Sequence, residues 1–300
     1  MMKLELPLQA GDLMPQAGPM LLLEELLECD EKTGSGAGRS RIRDGHLFLA
    51  ATGCLDAAAC VEMLAQLCAA VKGYQILRQG KPICFGYLVG LKDFQFHRPV
   101  RAGEEILLTS QKEFEMEALS ITRGTLRVGG EIVGEGTLKL YEPSALPPHP
   151  RHPDGGEFVP LSRPRLSGLQ PARRSRIQRD LLDRLGDVRH KESRHFGTYR
   201  MDAAFSGFEG HFPDYPLQPG VATLEMGLAL AGVALGAPLE FLSISQAKFS
   251  SPVFPNEVIE AEVHLKDGEA SETRGVGISA RIRAKDRLIA SYQFTAGEAP

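Results

Sequence analysis

Two stretches of this chain are apolar almost all the way round a helix, and each holds a single carboxylate. Between Ala57 and Val71 the only polar side chains are Glu62 and Gln66, and from Val221 to Leu235 the only ionisable group is Glu225. A surface helix shows one apolar stripe, so helices like these, from about 56 to 77 and from 220 to 235, must be buried on every side. Each is followed by the same pattern. LVGLKDFQFHRPVRAGEEILL runs into ITRGTLRVGGEIVGEGTLKLY, and LSISQAKFSSPVFPNEVIEAE runs into VGISARIRAKDRLIASYQFTA. The alternation reads as strands, with a Phe-x-x-Pro-Val corner at Phe96 to Val100 and again at Phe249 to Val253. One buried helix followed by an antiparallel sheet, twice over, predicts an α+β architecture in which each sheet curls around its helix.

The boundary between the repeats is written in prolines. Eight fall between Pro143 and Pro171, too many for a helix interior or a central strand. The expected organisation is therefore an N-terminal domain over 1–142, a semi-rigid linker over 143–171 and a C-terminal domain over 172–300.

Charge argues against nucleic acid: the net charge is −4, with no chain-wide basic footprint. The segment from Arg163 to Arg200 is locally basic, however, and reads either as a solvated face or as a surface for an acidic partner. The start, MMKLELPLQAGDL, lacks a basic region followed by an apolar run, and no span of about 18 apolar residues occurs, so a cytoplasmic protein without membrane insertion is expected. The five cysteines have no paired spacing and are expected to be free and buried. His97, His149, His152, His190, His195 and His264 show no metal-ligand spacing, so no metal is expected.

A carboxylate in an apolar helix is costly unless paired or neutral, and burial raises its pKa. That suits a general acid, although a structural glutamate bonded to a neighbouring donor has the same environment. Directly before the second helix stands GHFPDYPLQPG, Gly210 to Gly220, whose three prolines stiffen the backbone beside the helix start. A helix N-terminus offers unpaired N–H groups to a polarised carbonyl, which makes Gly220 the candidate donor.

GHFPDYPLQPGVATLE resembles the Gly-His-Phe-Pro-x-x-Pro-x-x-Pro-Gly-Val-x-x-x-Glu signature of FabA/FabZ-type β-hydroxyacyl-acyl-carrier-protein dehydratases, with Asp214 where glycine is common. PQAGPMLLL (Pro15 to Leu23) is similar to that family's opening Pro-His-x-x-Pro-Phe-Leu-Leu, with Gln16 in place of histidine, and VEMLAQ (Val61 to Gln66) to its Glu-x-x-x-Gln helix. The resemblance implies two tandem hot-dog folds packed as a pseudo-dimer. In the family a histidine and an acid fourteen residues later are catalytic and come from different subunits. Mapped onto this chain, His211 pairs with Glu62, while Glu225 faces a degraded counterpart. Fourteen residues before Glu62 stands Phe48, and His46 lies nearby without its proline scaffold.

The expectation is one composite active site, with His211 and Glu62 catalytic, Gly220 and Gln66 positioning substrate, and Glu225, Phe48 and His46 marking a vestigial site. The substrate would be a (3R)-hydroxyacyl thioester on acyl carrier protein, docked by Arg173, Arg174, Arg176 and Arg179, and dehydrated to a trans-2-enoyl thioester with no cofactor. An acyl tunnel is expected between the two buried helices, and further homo-oligomerisation is left open. Two alternatives stand beside this one: an acyl-thioester hydrolase, and a non-catalytic carrier-binding accessory protein.

Overall fold

A computed structural model describes residues 4–144, 161–164, 166–266 and 275–299. Residues 145–160 and 165 of the expected linker, with His149 and His152, lie outside the described residues.

The first half runs β1 (Leu8–Gln9), β2 (Glu25–Asp30), β3 (Ser35–Arg41), α1 (Ala57–Arg78), β4 (Tyr87–Phe96), β5 (Glu105–Met116), β6 (Leu119–Val128) and β7 (Glu131–Tyr141). The second runs α2 (Arg176–Arg184), β8 (Leu185–Lys191), β9 (Arg194–Met201), α3 (Gly220–Leu235), β10 (Leu239–Phe249), β11 (Glu257–Leu265), β12 (Val276–Ala284) and β13 (Arg287–Glu298). The strands form one antiparallel sheet in the order β1-β2-β3-β5-β6-β7-β4-β10-β13-β12-β11-β9-β8. Reading outward from the centre, β4-β7-β6-β5-β3-β2 is repeated by β10-β13-β12-β11-β9-β8. The two series meet where β4 pairs with β10, from Ser243 opposite Gln95 to Lys248 opposite Gly90.

Both long helices are buried, as their all-round apolarity requires. Ala58, Ala59, Val61, Met63, Leu64 and Leu67 of α1 are wholly enclosed, as are Val221, Ala222, Leu224, Met226 and Leu230 of α3, within one contiguous apolar core. Strand β5 shows the complementary pattern, with Ile106, Leu108 and Ser110 inward and the residues between them outward. The sheet comes so close to α1 that a side chain is excluded at Gly124 of β6, where a Cβ would sit 2.6 Å from Leu64 Cδ1.

Two details depart from expectation. The basic segment is not a plain linker face: Ser175 caps α2 by accepting from Gln178 N–H, and α2 buries Ile177, Leu181 and Leu182. All five cysteines are free, but Cys84 is exposed, because it lies in the non-helical approach to β4 and not in the core. Among the described residues no helix is long and apolar enough to cross a membrane.

Gly124→Val should lower stability by about 1–3 kcal/mol through overpacking against Leu64. The midpoint of urea unfolding measures it, and an unchanged midpoint would show that α1 does not press on β6 as described.

Candidate active site

The segment that carries His211 is pinned to the other half of the chain. Ala17 N–H donates to Gly210 O at 2.8 Å, and the positive φ of Gly210 (+79°) lets its backbone turn against Ala17 without a side chain in the way. Phe212 packs edge-on against Phe85 at 4.9 Å, and Gln218 N–H donates to Val253 O at 2.8 Å. Between these anchors His211 is 7% exposed and stacks on Phe212 at 4.3 Å. Its Nδ1 lies 3.0 Å from Leu217 O. A carbonyl only accepts, so Nδ1 carries the proton and Nε2 is left with a lone pair. Burial pushes the imidazole down to about 4, against the smaller opposing effect of the Leu217 bond, so it is neutral at pH 7.

Glu62 sits in the second turn of α1, 4% exposed. Burial pushes its carboxyl up to about 7, and the Gln66 hydrogen bond partly opposes that. Gln66 Nε2 donates to Glu62 Oε1 at 3.0 Å and to Met20 O at 2.7 Å, while its Oε1 accepts from Leu22 N–H at 2.8 Å and Leu23 N–H at 3.0 Å. Both its amide protons and its oxygen are thereby committed to protein groups. Gln66 is therefore not a substrate contact, contrary to expectation, and it does not line the cavity. It ties Glu62 to the segment preceding β2.

His211, Glu62 and Gly220 line one cavity of about 330 Å³, a volume at the small end of ligand sites. Gly220 opens α3, where Ala222 and Thr223 N–H both turn back to Pro219 O at 3.0 and 3.3 Å. Gln16, Gln218 and Thr223 also line this cavity, and Gln218 Nε2 donates to Thr223 Oγ1 at 2.9 Å. Gln218 was readable as a polar residue between two prolines of the signature, but nothing in the spacing marked it. The cavity does not run between the two helices as expected. It follows α1 toward the ends of β5, β6 and β7, and of α3 only Gly220 and Thr223 reach it. The two helices pack on each other.

Glu225 of α3 is buried. Gln178 Nε2 of α2 donates to Glu225 Oε2 at 3.0 Å, and the remaining space beside it is about 30 Å³. Burial raises the Glu225 carboxyl. Asp56 is also buried and raised, chiefly by desolvation and then by the Glu225 charge, and its Oδ2 accepts from Ser175 Oγ. Phe48 is wholly buried and His46 partly so, and neither lines that space. Phe48 N–H donates to His46 Nδ1 at 3.3 Å, and burial pushes His46 down to about 4.

The expected docking arginines divide. Arg174 is half-buried, and its charge interacts with the internal carboxylates Asp56, Glu225 and Glu240. Arg173, Arg176 and Arg179 are exposed, and Arg176 pairs with Glu209 at 3.4 Å. Among the described residues no group of three or more His, Cys, Asp or Glu is placed to hold a metal ion.

Two family models match in succession: an ApeP-like model, ApeP dehydratase, over residues 8–149, and an ApeI-like model, ApeI dehydratase, over residues 187–278. A 3-hydroxyacyl-[acyl-carrier-protein] dehydratase FabZ of Granulibacter bethesdensis is 35% identical over 127 residues, covering 39% of this chain and 71% of the relative. The dehydratase domain of PpsC from Mycobacterium tuberculosis superposes with a TM-score of 0.59 at 12% identity, covering 94% of this chain and 99% of that one. The dehydratase domain of RzxB from Pseudomonas fluorescens gives 0.58 at 13% identity, covering 93% and 99%. At these identities the two structures establish the fold, a hot-dog arrangement.

A Glu62→Gln change keeps an acceptor for Gln66 and removes the titration. The folded carboxyl lies at about 7 against an ordinary 4.5, so wild type loses stability as pH rises from 4.5 through 7 and the variant does not. The variant should gain about 3 kcal/mol on wild type over that window, read by urea unfolding at each pH. A pH-independent difference would mean that Glu62 is not buried as a neutral acid.

Proposed function

This chain belongs to the 3-hydroxyacyl-[acyl-carrier-protein] dehydratase family and is a hydro-lyase, and we propose that it carries one working site per chain, built from both halves. In this reading residues 1–142 and 172–300 are two hot-dog units joined by 143–171 and packed as a pseudo-dimer. What carries it is the single cavity onto which Glu62 of one half and His211 of the other both open.

Neutral His211 takes a proton from C2 of a 3-hydroxyacyl thioester through Nε2, and protonated Glu62 delivers one to the C3 hydroxyl, which leaves as water. The C2–C3 double bond of a trans-2-enoyl thioester forms. The first-turn amides of α3 at Gly220 receive the developing enolate oxygen. Because burial drives His211 down and Glu62 up, the neutral pair is favoured over the ion pair, so the proton returns from His211 to Glu62 after each turnover. The vestigial site at Glu225 has no such pair: Gln178 of α2 bonds its carboxylate, and Phe48, wholly buried, stands at the expected histidine position.

The proposed substrate carrier is an acyl carrier protein, in keeping with the relatives' names. Of the arginines considered, Arg173, Arg176 and Arg179 remain exposed for it. Reversing their charge should raise KM for a carrier-linked substrate and leave a small thioester unaffected; equal effects on both would remove them from docking.

His211→Ala and Glu62→Gln should each lose at least about 10²-fold in kcat, whereas Glu225→Gln should stay within a few-fold of wild type. For wild type, kcat/KM should fall below about pH 4, where His211 protonates, and above about pH 7, where Glu62 ionises. Loss of activity in Glu225→Gln with retention in Glu62→Gln would reverse the pairing.

A further inference from the structure

Beyond Glu62 the cavity continues along one stripe of α1. Glu62, Ala65, Ala69, Lys72 and Ile76 all line it and recur every three or four residues, so they stack on a single helix face. The side chains between the carboxyl and Lys72 are small, which leaves a narrow groove. At 1.5 Å per residue, Lys72 lies about 15 Å from Glu62 along the helix axis. That is the length of roughly a dozen carbons of an extended acyl chain.

The far end of this groove is polar. Lys72 Nζ lies 3.0 Å from Glu142 Oε2 and 3.5 Å from Glu115 Oε1, and Lys112 Nζ pairs with Glu115 Oε2 at 2.6 Å. All four side chains line the cavity, and Ser120 and Thr122 of β6 lie on the same wall. Lys72 and Glu142 are half-buried, with side-chain exposures of 33% and 30%, Lys112 is more enclosed at 19%, and Glu115 is exposed. A terminal methyl brought among them displaces water from ion-paired groups and returns no hydrogen bond, which is unfavourable. A terminal hydroxyl returns one.

In the dehydration proposed above, the reacting atoms fix the order of the substrate. The thioester carbonyl lies at Gly220, C2 at His211 and C3 at Glu62, so the remaining chain is directed along α1. We propose that Lys72, with its carboxylate partners, is the specificity-determining group of the acyl tail, and that the site takes long 3-hydroxyacyl thioesters whose distal end carries a hydrogen-bonding group in preference to plain alkyl chains of the same length. The inference rests on the dehydratase reading of the site.

The test compares three thioesters on wild type and on Lys72→Met: 3-hydroxybutyryl, 3-hydroxypentadecanoyl, and 3,15-dihydroxypentadecanoyl. On wild type the dihydroxy substrate should exceed the alkyl one by about five- to tenfold in kcat/KM, the effect of one hydrogen bond made at the tail. In Lys72→Met the preference should vanish or reverse, while 3-hydroxybutyryl turnover stays within twofold of wild type, which reports an intact fold and site. Equal or inverted preference on wild type, or a preference that survives Lys72→Met, overturns the assignment of Lys72. Failure of wild type to dehydrate any of the three substrates overturns the dehydratase reading instead.

Discussion

A carboxyl group buried in an apolar helix has to be held neutral or supplied with donors, and much of the structure around the large cavity follows from how Glu62 meets that demand. Its donor is Gln66, one turn further along α1, and Gln66 is in turn fixed by three backbone groups from Met20 to Leu23. Those backbone groups belong to the segment that also receives the His211 loop, since Ala17 N–H bonds Gly210 O. Glu62, Gln66 and the His211 loop therefore share one short stretch of chain as their common support. Displacing that stretch would leave buried amides of Leu22 and Leu23 unpaired as well as freeing Glu62, at a cost of about 1–3 kcal/mol for each unpaired group.

The duplication explains why the chain carries a second set of buried carboxylates. Glu225 occupies in α3 the place that Glu62 occupies in α1, yet its neighbours are Gln178, Arg174 and Asp56, and the space beside it is about 30 Å³ against 330 Å³ on the other side. A helix that buries Ile177, Leu181 and Leu182 stands where the first half has only short turns before its outer strands. Glu225 thus sits in a network with Gln178 and Asp56, and Arg174 is near enough for its charge to act on them.

Much of this was legible in the sequence, because the deciding signals are local. All-round apolarity marks α1 and α3, alternation marks β5, and the three prolines around His211 mark a stiff loop. Helical spacing puts Gln66 beside Glu62, where it bonds the carboxyl, but the letters do not show that Met20, Leu22 and Leu23 take up its other hydrogen bonds. The Ser175 cap with Ile177, Leu181 and Leu182 at helical spacing was present in the letters but masked by the arginines around it. Arg174 could not have been separated from Arg173 or Arg176 by composition, because what distinguishes it is the cluster of Asp56, Glu225 and Glu240 brought to it from three distant segments. Lys72 at helical spacing from Glu62 was likewise visible only as one lysine in an apolar helix until the cavity connected the two.

The central claim, that each chain builds its working site from its own two halves, is tested most directly by mixing. His211→Ala and Glu62→Gln chains, each inactive alone, are combined, unfolded and refolded together, and assayed for dehydration of a 3-hydroxyacyl thioester. A site made within one chain predicts that the mixture stays as inactive as its components. Recovery of activity, up to about a quarter of wild type if the chains pair at random, would contradict it and place the acid and the base of one site on different chains.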